Sequence, residues 1–512
     1  MHLTRLADIH GDKPAVILAD TGETISYREL ETRSNQIAQL FRSRGLRAGD
    51  HIAILLENCV DYFPIAWAAQ RSGLYYTPVN WHLHEDEAAY IVDNCQARML
   101  LHSSTLNGRT IAATAPSVEH RLLVGDRRAD GSADQATGAE WLDDALRELP
   151  AEPITDESEG YYMFYSSGTT GRPKGILPTR TPSEFGSGLP IDHRMATRFG
   201  FCDDTVFLNT GPLYHAAPLA WCLGTLRNGG TTIITGRFDP AGALRTIETY
   251  RVTHAMFVPT MFVRMLKLDT NTRQSADVSS LRLVIHSAAP CPVEVKRAMI
   301  EWFGHIIVEF YGASEGTGFF MIDADEWLAH PGSVGRPLIG TVHICDDDGL
   351  ELGTGAVGTV WFEGVGRFTY HGDPQRTAQA FDHRGWTTLG DLGHVDEQGY
   401  LYLSSRRTDL IISGGVNIYP TEIEDVLIAH ESVLDVAVIG VPDVEMGQIV
   451  HAIVTPVAER THDPTLTDEL LAYCRDHLSR FKCPRSVSIG IVPRSPSGKI
   501  VRRHLTSQAA QG

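Results

Sequence analysis

Apolar residues follow two different periods along the N-terminal part of the chain. From Tyr27 to Gly45 they recur at helical spacing up to a closing glycine, and the next segment, HIAILLENC, is an apolar run of strand length. Helix-like AGALRTIETYR precedes strand-like VTHAMFVPT, and VEVKRAMIEWFG precedes HIIVEFYGASE, while LRLVIHSAAP is a further short β-rich run. Helices that alternate with strands in this way predict an α/β fold with layers of parallel strands.

The pattern changes near Gly349, where short strand-like runs and turns rich in glycine and aspartate predict hairpins. A last block contains helix-like TEIEDVLIAH, strand-like VLDVAVIGV and the basic tail PRSPSGKIVRRH. We therefore predict an N-terminal domain of layered α/β subdomains plus a β-rich subdomain at residues 1–405, a hinge at 406–409, and a small mobile α+β domain at 410–512. The small-residue patch from Ala129 to Gly138 predicts a surface loop.

The composition of the chain limits the kinds of partner that the protein can bind. The chain has 512 residues, with 44 Lys and Arg against 63 Asp and Glu, which leaves a net charge of −19. Such a field repels the phosphate backbone, so we expect no nucleic-acid partner. The sequence contains no run of about 18 apolar residues, so no membrane span is predicted. The charged N-terminus does not resemble a secretory signal. We expect a cytoplasmic protein.

The segment YYMFYSSGTTGRPKG, at residues 161–175, predicts a phosphate-binding site. Glycines let backbone N–H groups approach an anion, hydroxyls donate to phosphate oxygens, and a lysine balances charge. The residues concerned are Ser166, Ser167, Gly168, Thr169, Thr170 and Lys174. The alternative is a flexible linker, which the apolar lead and the Pro-Lys close disfavour. The Walker A pattern is excluded, because Lys174 lies between Pro173 and Gly175 rather than before Ser or Thr.

Two other patterns suggest chemistry when they are considered alone. Residues 312–316 fit G-x-S-x-G, which would make Ser314 the nucleophile of a serine hydrolase, but the following TGFFMIDADE is not helix-like. Residues 353–358 fit the dinucleotide fingerprint, but they lie between a turn and a strand, so a hairpin is predicted there.

Four further motifs follow the phosphate segment in order along the chain. They are YGASE at 311–315, LGD at 389–391, RRTD at 406–409 with ISGGVNIYPTEIE, and PRSPSGK ending at Lys499. With SSGTTGRPKG, this set resembles the acyl-adenylate-forming superfamily, which includes acyl-CoA synthetases, plant hydroxycinnamate CoA ligases, firefly luciferase and peptide-synthetase adenylation domains. The resemblance covers almost the whole chain and is closest to the acyl-CoA ligases.

The resemblance implies roles for the motif residues in joining a carboxylate to the α-phosphate of ATP. The phosphate segment would hold the β- and γ-phosphates, Glu315 would bind Mg²⁺, and Ser314 would donate to the α-phosphate. Tyr311 would stack on adenine, and Asp391 and Arg406 would face the ribose. Taken singly, these residues also fit solvated turn acids, a core aromatic and a surface charge.

The resemblance assigns Lys499 to the first half-reaction, where a mobile lysine would bridge the carboxylate and the α-phosphate and then withdraw. The small domain would rotate at the hinge and bring Gly414 and Gly415 against a pantetheine tunnel. Thr408 departs from the Lys or Asp common at the pivot, which leaves any charge contact there open. As a residue alone, Lys499 also fits a solvated lysine in a basic tail.

Candidate residues for the acid-binding pocket are small or aromatic. They are His215, Trp221, Ser287, Ala288, Ala289, Gly318 and Phe319. By the resemblance His215 would lie beside the carboxylate and take part in catalysis, although a lone histidine also fits a core position. The set carries no obvious fixed charge, which predicts an apolar acyl tail. An amino-acid substrate is disfavoured because GPLYHAAP contains no acid to pair with its ammonium.

The sequence therefore predicts an AMP-forming acyl-CoA ligase that uses ATP, Mg²⁺ and coenzyme A on a hydrophobic carboxylic acid, with a fatty or steroid-side-chain acid preferred. Alternatives are an aryl or hydroxycinnamate-type CoA ligase, an enzyme that loads a carrier-protein thiol, a nucleotide-binding module without turnover, and the Ser314 hydrolase. The choice between monomer and homodimer stays open.

Overall fold

The chain forms two units in the computed structural model, which describes residues 2–106, 111, 114–125, 139–166, 173–179, 182–495, 498–502 and 505. The first unit comprises Met1–Phe238, Thr246–Met256 and Gly366–Gln379, and the second comprises Asp239–Arg245, Phe257–Val365 and Ala380–Gly512. The hinge predicted at 406–409 falls inside the second unit, and the predicted domain boundaries stay a prediction. The loop predicted at 129–138 lies outside the described residues.

The first unit contains two sheets of mainly parallel strands and one small antiparallel sheet. The strand order in the first is Glu140–Trp141, His120–Val124, Ala97–Ser103, His51–Leu55, Tyr75–Pro78 and Tyr161–Tyr162, all parallel. In the second it is His254–Phe257, Val206–Asn209, Thr231–Ile234, Pro14–Leu18 and Glu23–Ser26, with the last pair antiparallel. The antiparallel sheet is Phe368–Tyr370, Lys174–Pro178 and Phe164–Ser166.

The second unit is richer in antiparallel strands. Its largest group begins with the parallel pair Leu283–His286 and Ile307–Gly312 and continues antiparallel through Phe319–Ile322, Ser333–Ile339, Leu401–Arg406, Thr387–Val395, Gly358–Glu363 and Thr341–Cys345. A hairpin pairs Ile411–Ser413 with Val416–Ile418. A last sheet contains Val433–Asp443, Gly447–Pro456 and Ser486–Ile489.

Helices connect the strands of both units. Among the described residues, the α-helices are Leu3–His10, Tyr27–Ser43, Tyr62–Arg71, Glu85–Asn94, Leu142–Leu146, Pro190–Phe199, Ala216–Arg227, Pro240–Tyr250, Pro259–Leu266, Thr270–Ser275, Val293–Phe303, Ala324–Ala329, Pro374–Gln379, Pro420–Ile428 and Leu466–His477. Short 3₁₀ turns occur at Arg407–Asp409 and Ala458–Arg460. Parallel strands joined by helices confirm the predicted α/β class.

Local sequence accounts for where these elements begin. The helix Tyr27–Ser43 starts at a capping box, in which the Ser26 hydroxyl accepts from the Glu29 amide and the Glu29 carboxylate accepts from the Ser26 amide. Leu30, Ile37 and Phe41 lie fully buried on one face of it, as the helical period predicted. The predicted strands at 51–55, 254–257, 283–286 and 307–312 are likewise confirmed.

The C-terminal part of the second unit contains the predicted α+β elements. The helix Pro420–Ile428 precedes the long strand pair Val433–Asp443 and Gly447–Pro456, and Ala437, Ile439 and Ile453 form a buried cluster with Val492 and Leu505. Within the described part of the chain, no helix is both long and apolar enough to cross a bilayer.

Candidate active site

The phosphate segment begins and ends on neighbouring strands of the first unit. Phe164–Ser166 and Lys174–Pro178 run antiparallel, and Ser166 lies directly opposite Lys174. The predicted residues Ser167, Gly168, Thr169 and Thr170 lie outside the described residues. The strand pair thus brings Ser166 and Lys174 together.

Aromatic side chains support this strand pair. The Lys174 ammonium lies 4.9 Å from the ring centroid of Tyr370, on the third strand of the sheet. The Tyr165 hydroxyl donates to Asn94 Oδ1 at 2.6 Å. A Cβ at Gly175 would lie 2.8 Å from the Tyr165 ring, so only glycine fits opposite this tyrosine without displacing it. The His371 amide donates to the Gly175 carbonyl at 2.8 Å.

Three predicted nucleotide-binding residues meet in the second unit. Tyr311 is on the strand Ile307–Gly312, and its hydroxyl donates to Asp391 Oδ2 at 2.6 Å. Arg406 Nε donates to Asp391 Oδ1 at 3.3 Å, and the two residues are paired across neighbouring strands. Burial, and next the Asp391 carboxylate, raise the pKa of Tyr311 well above its ordinary value. The phenol therefore stays a hydrogen-bond donor, while Asp391 is largely buried and Arg406 is half-exposed.

Lys499 belongs to the same group. Its side chain is exposed, but the protein packed around it removes part of its hydration and lowers its pKa. The positive charge of Arg406 lowers the pKa further, and the negative charges of Asp391 and Glu315 act in the opposite direction. The ammonium is therefore within electrostatic reach of three predicted site residues, which a lysine in a freely solvated tail would not be.

Ser314 and Glu315 lie in a tight turn directly after the strand that carries Tyr311. The Gly316 amide donates to the Ala313 carbonyl at 2.9 Å, Ser314 is exposed and Glu315 is half-buried. No cluster of three or more His, Cys, Asp or Glu able to hold a metal occurs among the described residues. A single accessible carboxylate still fits Mg²⁺, which keeps several waters and takes its remaining ligands from substrate phosphates.

The structure excludes both of the other chemistries that short sequence patterns suggested. The turn after Ser314 leads into the antiparallel strand Phe319–Ile322 and not into a helix, so a nucleophile elbow is not formed. Residues 353–358 form a turn that enters the strand Gly358–Glu363, so the predicted hairpin is confirmed and no dinucleotide-binding helix follows.

The candidate pocket residues are divided between the units. In the second unit, Ser287, Ala288 and Ala289 follow the strand Leu283–His286, and Ala288 has a left-handed φ of 78°. Such a backbone costs energy in a residue with a side chain and is commonest at functional turns. Gly318, also left-handed at φ 66°, precedes Phe319, whose ring stacks on Phe310 at 5.4 Å.

The first unit contains the other two candidates. His215 immediately precedes the helix Ala216–Arg227 and its ring lies 4.6 Å from that of Tyr214. Trp221 is 2% exposed and packs edge-on against Phe199 at 5.0 Å and beside Phe201. These contacts are those of a core side chain, and the roles of both residues in the pocket stay predictions.

The predicted Gly-Gly turn is a two-residue hairpin. Gly414 and Gly415 connect Ile411–Ser413 to Val416–Ile418, and both have positive φ, 56° and 80°. Two consecutive left-handed residues form the turn that suits a hairpin, which explains the two glycines. The Gly414 amide donates to the Met446 carbonyl at 2.8 Å, so this turn is fastened to the neighbouring hairpin.

Sequence reasoning missed a buried ion pair behind the 287–289 turn. Lys296 Nζ donates to Glu309 Oε2 at 2.6 Å, and the fully buried ring of His286 has its Nε2 3.5 Å from the same oxygen. Burial lowers the pKa of His286, so the ring is neutral. The signal was present in the helix Val293–Phe303, where Lys296 falls on the buried face with Met299 and Ile300.

Comparison with known proteins agrees with this geometry. Residues 3–369 match the family described as AMP-binding enzyme, and residues 422–499 match the AMP-binding enzyme C-terminal domain. The feruloyl-CoA synthase of Amycolatopsis sp is 33% identical over 94% of this chain and 93% of its own length. The long-chain-fatty-acid–CoA ligase FadD13 of Mycobacterium tuberculosis is 30% identical over 96% and 95%.

A solved structure extends the agreement to the fold. ATP-bound MatB from Rhodopseudomonas palustris superimposes with a TM-score of 0.80 at 29% identity, covering 99% of each chain. Family, sequence relatives and fold all agree with the resemblance that the ordered motifs carry. The chain belongs to the AMP-binding enzyme family and, within it, to the AMP-forming acyl-CoA ligases.

Proposed function

We propose that this enzyme joins a hydrophobic carboxylic acid to coenzyme A through an acyl-adenylate. The observation that carries the proposal is the hydrogen-bonded group of Tyr311, Asp391 and Arg406. The charges of Arg406, Asp391 and Glu315 also act on the pKa of Lys499. A mobile cation beside a group suited to a nucleoside is what attack on an α-phosphate requires.

In the first step a carboxylate oxygen of the acid attacks the α-phosphorus of ATP, and the bond to the bridging oxygen breaks to release pyrophosphate. Lys499 neutralises charge on the reacting oxygens, and Ser314 donates a hydrogen bond to the α-phosphate. Asp391 accepts from the ribose hydroxyls, and the Tyr311 ring, anchored at its hydroxyl, offers a face to adenine. Mg²⁺, held by Glu315 and the phosphates, would offset the charge of the leaving pyrophosphate.

In the second step the sulfur of coenzyme A attacks the acyl carbonyl, the bond from that carbon to the phosphate oxygen breaks and AMP leaves, while the thiol proton passes to solvent. Lys499 must then withdraw, because it occupies the side from which the thiol arrives. The paired glycines at 414–415 support a role for that hairpin at the pantetheine arm, since a glycine turn leaves the backbone open to close approach. The hinge at 406–409 is the proposed pivot, and Thr408 offers it a hydroxyl in place of a charge.

The substrate class is proposed from the pocket candidates. Ser287, Ala288, Ala289 and Gly318 are small and uncharged, and the charges of Lys296 and Glu309 are paired with each other. A pocket of this composition favours an apolar tail, and we rank a fatty or steroid-side-chain acid above an aryl acid. The relative FadD13 supports a long-chain fatty acid, and the relative feruloyl-CoA synthase supports an aryl acid. His215 is proposed to lie beside the carboxylate, and the enzyme is proposed to act in the cytoplasm.

The test is a panel of acids supplied with ATP and Mg²⁺. We expect AMP to accumulate only when coenzyme A is present, with medium- and long-chain fatty acids or a steroid-side-chain acid ahead of ferulate and coumarate. A pantetheinylated carrier protein in place of coenzyme A tests the alternative acceptor. Should no acid release pyrophosphate, the ligase proposal is wrong and the nucleotide-binding module gains support. A better rate with the aryl acids would reverse the substrate ranking alone.

A further inference from the structure

Backbone hydrogen bonds join Ser495, Gly498 and Lys499, and we call these three residues the Lys499 turn. The Ser495 amide donates to the Lys499 carbonyl at 2.7 Å, and the Gly498 amide donates to the Ser495 carbonyl at 2.8 Å. Gly498 is buried and left-handed at φ 81°, and a Cβ there would lie 3.1 Å from Thr260 and 3.2 Å from Val258. These bonds shape the turn locally, but they do not attach it to the rest of the C-terminal sheet and helices.

Arg494 makes that attachment on the N-terminal side of the turn. Its Nε and Nη2 donate to the two carboxylate oxygens of Asp435, both at 2.7 Å, and its Nη1 donates to the Gly498 carbonyl at 2.5 Å. Asp435 lies on the strand Val433–Asp443. One guanidinium therefore joins this strand to the residue before Lys499.

Arg502 makes a larger attachment on the C-terminal side, three residues after Lys499. Its Nη1 and Nη2 donate to the two oxygens of Glu424 at 2.7 and 3.1 Å, and Nη1 also donates to the Val438 carbonyl at 2.8 Å. Its Nε donates to Asp409 Oδ2 at 3.2 Å. Its side chain is only 17% exposed, so these bonds are partly shielded from water.

The residues that Arg502 binds indicate what its hydrogen bonds do. Asp409 ends the predicted hinge segment, which starts at Arg406, and Arg406 binds Asp391 of the nucleotide group. We propose that Arg502 is a positioning residue for adenylate formation, which fixes the Lys499 turn to the hinge through Asp409 and to the helix Pro420–Ile428 through Glu424. This inference deepens the proposed function and rests on it.

Arginine suits this role better than lysine does. A planar fork of donors can bind two acids and a carbonyl at once in a fixed direction, whereas an ammonium is a single point of charge. A lysine at 502 would keep the attraction and lose the orientation. A displacement of about 1 Å at a catalytic group can cost about 100-fold in rate, so a change at Arg502 can slow the chemistry without touching substrate.

The experiment compares Arg502→Gln with Arg460→Gln. Arg460 is a matched control in the same C-terminal region, where its guanidinium binds Glu469 at 2.6 Å and Asp463 at 2.9 Å. We expect Arg502→Gln to lower kcat of ATP–pyrophosphate exchange by about 10- to 100-fold with little change in KM for ATP. Capture of a supplied acyl-adenylate by coenzyme A should stay near the unmodified rate, and Arg460→Gln should leave both steps intact.

The same substitution in a Lys499→Ala enzyme distinguishes a positioning role of Arg502 from general damage to the fold. If Arg502 acts through Lys499, Arg502→Gln adds no further loss of adenylate formation to a Lys499→Ala enzyme, whereas independent effects would multiply. Arg502→Lys should recover part of the rate. Asp409→Asn keeps the Glu424 bonds and therefore the fold, and should give a smaller loss of the same kind. Equal losses with and without Lys499, or equal losses in both half-reactions, would overturn the assignment.

A readout that needs no turnover keeps this inference separate from the ligase proposal. The rate at which an amine-reactive reagent labels Lys499, followed by mass spectrometry against pH, reports the pKa of its ammonium. We expect Arg502→Gln to raise that pKa towards the ordinary lysine value, because the side chain leaves its partly desolvated position. An unchanged labelling profile contradicts the positioning role. A wild-type enzyme that labels as expected but releases no pyrophosphate contradicts the proposed function only.

Discussion

Two lysines proposed to act on the same triphosphate are held in different ways. Lys174, in the first unit, is the first residue of a strand, stands opposite Ser166 in an antiparallel ladder and has its ammonium over the Tyr370 ring. Lys499, in the second unit, is in a turn that is joined to neighbouring elements through side chains, among them those of Arg494 and Arg502.

The difference concerns what must break for each lysine to move. Moving Lys174 would require its strand to leave the sheet, which breaks backbone hydrogen bonds cooperatively. Moving the Lys499 turn relative to the hinge breaks side-chain contacts, chief among them the hydrogen bonds of Arg502 to Asp409 and Glu424, and leaves the neighbouring sheet paired. A backbone-held lysine suits a charge that stays on the phosphates, and a lysine held by ion pairs suits one that must withdraw.

The largest expected effect tests the mobile lysine. Lys499→Ala should lower adenylate formation by about 100- to 1000-fold, because the transition state loses a positioned cation. Capture of a supplied acyl-adenylate by coenzyme A should remain largely intact. Lys482→Ala, which removes an exposed lysine paired with Glu422 in the same region, is the control. The measurement is pyrophosphate exchange beside single-turnover thiol capture. Equal loss of both steps would contradict the proposal that Lys499 acts in adenylate formation and then withdraws.

A smaller effect tests how the fixed lysine is held. Tyr370→Leu should weaken kcat/KM for ATP by about 3- to 30-fold, because a cation over an aromatic face gains about 0.5–2 kcal/mol. Tyr370→Phe keeps the ring face and should stay close to the unmodified enzyme. The control is Phe481→Leu, which removes the exposed ring under Lys482. A Phe variant as poor as the Leu variant would assign the effect to the tyrosine hydroxyl instead.

A third effect, on stability and not on rate, concerns the first unit in acid. His51 stacks on Tyr75 and lies 5.4 Å from the ring of His371, whose amide bonds to Gly175. Burial, and next the neighbouring His371, lower the pKa of His51 to about 4. The unfolded chain binds this proton near pH 6.5 and the folded chain only near pH 4. The stability due to neutral His51 is therefore complete above pH 6.5 and is lost as pH falls towards 4.

The corresponding measurement is urea unfolding at neutral pH and near pH 4.5. His51→Phe keeps an aromatic ring and should remove about 1–3 kcal/mol of the acid-induced loss of unfolding free energy. His84→Gln, a change at an exposed histidine, is the control. The same pH dependence in His51→Phe and in the unmodified chain would show that the acid sensitivity arises elsewhere.

Much of the fold was predictable because the relevant signals are local. The helical period after Tyr27, its closing glycine and the following apolar run predicted the helix Tyr27–Ser43 and the strand His51–Leu55 within a few residues. The ordered motifs also identified Tyr311, Asp391, Arg406 and Lys499, which the structure brings together. Their individual roles in catalysis stay predictions.

The residues that sequence reasoning missed depend on contacts between distant segments. Arg494 and Arg502 stand in a basic run that fits a solvated tail, but Asp435, Glu424 and Asp409 bind them from 59 to 93 residues away. Lys296 in an amphipathic helix gives no sign by itself that Glu309 will neutralise it. Pairs of this kind follow from tertiary packing, which no single-segment period can reveal.

Gly175 carries a consequence for anyone who engineers this enzyme. The Tyr165 ring fills the space that a side chain at position 175 would occupy, and a Cβ there would lie 2.8 Å from the ring. A mutant library built to change nucleotide preference can therefore vary the hydroxyl residues upstream, but it should leave position 175 unaltered. Alanine there would require a shift of the Tyr165 ring, which lies on the strand pair that carries Ser166 and Lys174 and hydrogen-bonds to Asn94.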